Sequence, residues 1–159
     1  MKERTKTYIY VALDIVSHVV LSIALAVVFY KMTGGWLWPV LAIIGGVLID
    51  LDHFFDYFLY YGLKVDIPGF FAHGYVKSGK AYSLFHSWEL VAILWVAGIF
   101  YSFCIPLAAG MTLHMATDFI YSYTKQPWRM FFVYRVKHNF ELDRMDPEGH
   151  KKMKQQLKN

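Results

Sequence analysis

Residues 45–56 read GGVLIDLDHFFD. An apolar run that begins at Trp36 ends here in two carboxylates and an imidazole, Asp50, Asp52 and His53. The run Trp36–Phe55 reaches the ~20 residues that cross a ~30 Å hydrocarbon core. Three other segments share its character: Tyr8–Tyr30, Trp88–Phe103 and Ile105–Tyr123. The chain is 57% hydrophobic and 19% aromatic, too apolar for an ordinary small soluble domain. The expected fold is therefore all-α, an integral membrane bundle of about four transmembrane helices.

The connections differ in kind. KMTGG joins the first two helices, and a tight turn near Cys104–Pro106 joins the last two. Segment 56–87 is rich in Phe and Tyr with scattered Lys, the composition of an amphipathic segment at headgroup level. Residues 125–159 are polar and basic. Two units are thus expected: a membrane-embedded metal-binding helical domain, 1–124, and a basic cytosolic helical tail, 125–159. The first apolar run is too long for a signal-peptide core and no small-residue cleavage site follows it, so it reads as a retained helix. Cys104 has no partner for a disulfide.

Basic residues set the orientation. Four spans place both termini and the middle loop on one side, which holds fifteen of the sixteen Lys and Arg; Lys31 is opposite. By the positive-inside rule that side is cytoplasmic. The expected location is a prokaryotic inner (cytoplasmic) membrane with both termini cytoplasmic. The tail reads as a solvated surface that touches anionic membrane lipids, not as a nucleic-acid-binding element.

Asp14, His18, Asp50, Asp52, His53, His86, Glu89, His114 and Asp118 fall within or at the ends of these spans. Each ionisable group costs a few kcal/mol in a bilayer unless it meets a partner or a wet cavity. Asp14/His18 and His114/Asp118 are i,i+4 pairs, and Asp50/His53 is an i,i+3 pair, so each shares a helix face. All four helices bring these groups to the inner half of the membrane. Gly45 and Gly46 allow a neighbouring helix to approach one turn above Asp50. Imidazole with carboxylate at such spacing suits a divalent metal, most of all zinc, with manganese or iron as alternatives. The ligand candidates are His18, Asp50, Asp52, His53, His86, His114 and Asp118, enough for one or two ions. His73, His138 and His150 read as loop or surface residues, and Asp56 equally as a surface charge at a helix end.

The order His18, GGVLIDLDH (45–53), FHS (85–87) and HMATD (114–118) resembles the small membrane-bound metal-dependent hydrolases of the YdjM type. The likeness covers residues 8–123 and departs at Ile49, where Pro is usual, and at Phe85, where Thr is usual. The motif order is also similar to soluble zinc-dependent phospholipase C. That resemblance implies Asp50 or Asp52, His86, His114 and Asp118 around one metal, with His18 and a bridging Asp118 at a second. It implies hydrolysis of a phosphate ester by a metal-activated water, with a lipid or other amphiphilic substrate. Asp52 or Asp14 is the expected proton acceptor. Lys77, Lys80, Arg129 and Arg135 are the candidates for holding phosphate charge. Two other readings stand beside this one: a metal or proton transporter that uses the buried His and Asp, and a structural membrane module that uses metal only to fold.

Overall fold

Helix α1, Glu3–Thr33, is a continuous run without internal Gly or Pro, and it stops where Gly34 takes a left-handed φ of 68°. The computed structural model describes residues 3–64, 66, 70, 78–121 and 126–158. Among these the protein is all-helical; an isolated antiparallel bridge, Lys80 to Glu141, is the sole pairing outside helices. Helix α2, Leu37–Val47, tightens into a 3-10 turn at Leu48–Asp50 and continues as α3, Leu51–Tyr61. Helix α4, Trp88–Gly98, is capped by the Ser87 hydroxyl, which accepts from the Leu90 N–H. Helix α5 spans Cys104–Tyr121. After a 3-10 turn at Pro127–Met130 come α6 (Phe132–Lys137), α7 (Leu142–Met145) and α8 (Pro147–Lys158).

Among the described residues, two stretches are long and apolar enough to cross a membrane, Ala12–Thr33 and Leu37–Tyr61. Only 22% of the first is buried inside the protein, so most of its apolar surface faces outward. The expectation of four spans is met in part. The third helix ends at Gly98, not Phe103, because the chain turns at 99–103. At ~1.5 Å per residue, its 11 residues rise ~16 Å, about half the hydrocarbon core. The second helical stretch extends past Phe55 to Tyr61.

Helix α2 packs against α1 and α5, and α4 against α5. The approach of α2 to α5 depends on absent side chains. A Cβ on Gly110 would overlap the Ala42 carbonyl, and one on Gly45 would overlap the Leu107 carbonyl. A Cβ on Gly46 would collide with the Ser22 hydroxyl of α1. Small residues thus bring the backbones of these helices together. Below this contact Ile49, Val91, Met111 and Met115 form a buried apolar cluster.

The segment after residue 125 folds back onto the chain before α4. Ala81 N–H donates to the Phe140 carbonyl, and Leu142 N–H to the Gly79 carbonyl. Ala81, Leu142 and Met145 are buried together. His150, expected at the surface, is 3% exposed and its Nδ1 lies 2.8 Å from Asp143 Oδ1. Asp56 is also buried, at 3%, because the chain at 82–83 wraps over it. His138 lies half-buried in the turn after α6. His73 and Lys77 lie outside the described residues.

Candidate metal centre

Three imidazoles are held by the same device. The Nδ1 of His18 is 2.8 Å from the Asp14 carbonyl, one turn earlier in α1. The Nδ1 of His114 is 3.0 Å from the Gly46 carbonyl, a contact that exists because the glycines let α5 approach α2. The Nδ1 of His86 is 3.0 Å from Asp52 Oδ2. A carbonyl or carboxylate oxygen can only accept, so each Nδ1 carries the proton. In the neutral ring each Nε2 is then a lone pair, fixed in direction, as at sites where a second partner orients a metal-binding histidine.

Those lone pairs converge. His86 Nε2 lies 3.1 Å from His114 Nε2 and 3.2 Å from Asp50 Oδ1. His114 Nε2 lies 3.4 Å from Asp50 Oδ1 and 3.3 Å from Asp118 Oδ2. His18 Nε2 lies 3.1 Å from Asp118 Oδ1, yet it is buried and makes no hydrogen bond. With neutral rings, two nitrogen lone pairs and two carboxylates at such distances repel, and either a metal ion among them or protons on the Nε2 atoms relieves this. These buried groups could hold a metal ion, and they fall into two sets, His18–His114–Asp118 and Asp50–His53–His86. Asp118 addresses both, Oδ1 toward His18 and Oδ2 toward His114 and His86. His53 stacks on His86 at 4.6 Å, with its Nε2 3.7 Å from Asp50 Oδ1.

The two aspartates of DLDH are separated by the same ring. Asp50 faces Nε2 of His86 and Asp52 faces Nδ1, on the far edge. Asp52 Oδ2 also accepts the Phe85 N–H at 2.8 Å. Asp50 therefore stands among the ligand atoms and Asp52 behind His86. Asp14 stands similarly behind His18, with Oδ1 3.5 Å from Nδ1. The side chain of Asp50 is 44% exposed and that of His114 fully buried, so the cluster opens on the Asp50 side.

The basic candidates are placed elsewhere. Arg129 is paired with Asp146 at 2.9 Å, and Lys80 is exposed. Arg135 is 3% exposed; its Nη1 donates to the His86 and Arg129 carbonyls and its Nη2 to the Ser83 carbonyl. Neither arginine offers a free fork to phosphate at the His/Asp cluster.

His86 lies on the loop before α4. Burial works against its charged form, but its bonds to Asp50 and Asp52 outweigh burial and push it up to about 10. Burial draws Arg135 below its ordinary value, and Asp52 and Glu89 oppose this.

Several residues that build the site escape a motif search. Asp56 accepts the N–H groups of Tyr82 and Ser83, each at 3.1 Å. Glu89 accepts those of Phe132 and Val133 and ties α6 to α4. Asp56 had a legible signal: it is i+4 from Asp52, so both face the same loop. Arg135 had none, since its partners are backbone carbonyls. No protein-family model, curated protein or solved structure matches the chain.

Proposed function

We propose that this protein is an integral membrane hydrolase that uses one or two divalent cations, zinc foremost, to cleave a phosphate ester of a lipid or other amphiphile at the cytoplasmic interface. The observation that carries the proposal is the convergence of three imidazole Nε2 atoms on Asp50 and Asp118, with every Nδ1 already committed. A divalent cation bound there supplies an acidified water and draws charge from a phosphoryl oxygen. His18, His86, His114, Asp50 and Asp118 would hold it, and Asp118 reaches both sets of ligands. Asp52 fixes the tautomer and tilt of His86. Asp14, whose Oδ1 makes no hydrogen bond, is the carboxylate bound neither to a ligand nitrogen's metal-facing edge nor to the loop, and it would accept a proton by way of an intervening water.

Immersion in a bilayer is supported by the exposed surface. Leu13, Val16, Val20, Ile23 and Val27 face outward along α1. The turn between α4 and α5 exposes Ile99, Phe100, Tyr101 and Phe103. Contiguous apolar surface of this kind is costly in water and natural in lipid. The α4–α5 hairpin would then be embedded beside the two longer stretches, with the inner, basic side cytoplasmic.

The test is elemental analysis of protein purified in detergent, then assays with phospholipid vesicles and a generic phosphodiester in zinc, manganese or iron(II). His114→Ala should lose both bound metal and hydrolysis. Full metal content and activity in that variant would overturn the proposal. Cation flux in proteoliposomes, without hydrolysis, would assign the cluster to transport instead.

A further inference from the structure

We propose that Arg135 is a positioning residue of the metal centre, and that the segment after residue 125 is thereby a working part of the site. The inference rests on the metal-binding reading above, not on the reaction catalysed.

The loop 81–87 carries His86 and has no regular structure of its own. Its Ser83 is held at a left-handed φ of 41°, a conformation that a serine keeps only when its surroundings impose it. Three buried charged groups impose it. Asp56 accepts the N–H groups of Tyr82 and Ser83. Asp52 accepts the Phe85 N–H together with the His86 ring proton. From the opposite side, Arg135 donates to the Ser83 carbonyl at 3.0 Å and to the His86 carbonyl at 2.7 Å. The two aspartates satisfy donors of the loop and the arginine satisfies acceptors. The backbone on which His86 sits is thus clamped from both faces.

Arg135 is an expensive choice for a merely structural role. Among the described residues it makes no ion pair, and its Nε is buried without a hydrogen-bond partner. Burying a charge in this way costs free energy that an apolar side chain would not. What the planar fork provides is two carbonyls of one loop held in fixed relation, which a lysine cannot copy. It also grips the Arg129 carbonyl, in a segment anchored in turn by the Arg129–Asp146 pair. Asp146 accepts the Gly149 N–H at the start of α8. A continuous run of bonds therefore leads from α8 to the backbone of His86.

The test uses the full chain in detergent and cobalt(II) alone as probe, read by affinity and by its visible ligand-field bands. Arg135→Met should weaken cobalt binding about tenfold, the lower end of what outer-shell partners of a metal ligand contribute, and should alter the bands. Arg135→Lys should show a smaller loss. If the arginine acts through His86, Arg135→Met should change affinity no further in a His86→Ala background. Unchanged affinity and bands in Arg135→Met, or an equal further loss on top of His86→Ala, overturns the inference. Should Arg135→Met fail to fold, Arg135→Lys and Asp56→Asn carry the test, and unaltered cobalt binding in both overturns it. Hydrolysis is not read at any point. Wild-type protein that binds cobalt but cleaves no phosphate ester therefore sinks the hydrolase proposal alone.

Discussion

Asp50 and Asp52 differ by two positions in the chain and should differ sharply in what they do. Asp50 Oδ1 lies 3.2 Å from His86 Nε2 and 3.4 Å from His114 Nε2, among the lone pairs that would take the cation. Asp52 Oδ2 lies 3.0 Å from His86 Nδ1, on the other edge of the ring. Asp50→Asn replaces an anionic ligand with a neutral amide and should abolish binding at micromolar zinc. Asp52→Asn keeps an oxygen that can accept from both His86 and Phe85. What it loses is the charge assistance of the His86 bond, the difference between about 1.5–3 and about 0.5–1.5 kcal/mol. That difference is about 1–1.5 kcal/mol, or on the order of tenfold in an equilibrium constant. The Phe85 N–H is the same donor with or without metal and does not enter, whereas a cation on Nε2 makes the His86 Nδ1–H a stronger donor, so the charge assistance of that bond counts toward binding. Zinc affinity of Asp52→Asn should thus fall about tenfold, with stoichiometry kept. Chelator-buffered titration of both variants measures this. Equal losses, or a greater loss in Asp52→Asn, would refute the assignment of Asp50 as ligand and Asp52 as its support.

Other outcomes follow from the same geometry. Gly110→Ala places a Cβ against the Ala42 carbonyl, which is backbone and cannot move aside; it should cost about 1–3 kcal/mol and lower the thermal midpoint in detergent. Gly35→Ala, in open space, should leave the midpoint within the range of ordinary surface changes. Chelation should lower the midpoint of wild type, since a ligand at a hundred times its Kd stabilises by about 2.7 kcal/mol; His114→Ala should melt alike with and without chelator. The exposed Asp143 is held below its ordinary value first by the hydrogen bond from His150, and also by the charges of His150 and Lys154. Its folded value being depressed, its contribution is present above the ordinary carboxylate range and lost as pH falls through the folded value. Protease protection of α8 should therefore weaken below about pH 4, and Asp143→Asn should remove that pH dependence.

Much of the site could be read from spacing alone. The i,i+4 pairs Asp14/His18 and His114/Asp118 share helix faces wherever the helices lie, and the apolar runs around them dictate helices. The glycine pair at 45–46 announced a close approach, and a Cβ at either position would collide with a neighbouring helix. Helix ends were less legible. The third apolar run continues through Phe103, but the helix ends at Gly98, because apolar composition marks burial or lipid and not the point where the backbone turns.

What needed the tertiary structure was the division of labour among like residues. Asp50, Asp52 and Asp56 are equivalent as letters. One faces Nε2 of His86, one faces Nδ1, and one holds the loop backbone at Tyr82 and Ser83. That distinction depends on where a loop from another part of the chain comes to rest, and the loop's position depends on Arg135, 49 residues beyond His86. Helix periodicity is a property of the local backbone, so the sequence alone determined which residues share a face. Partners across such distances are chosen by how the helices pack, so only the folded chain decided which carboxylate meets which nitrogen.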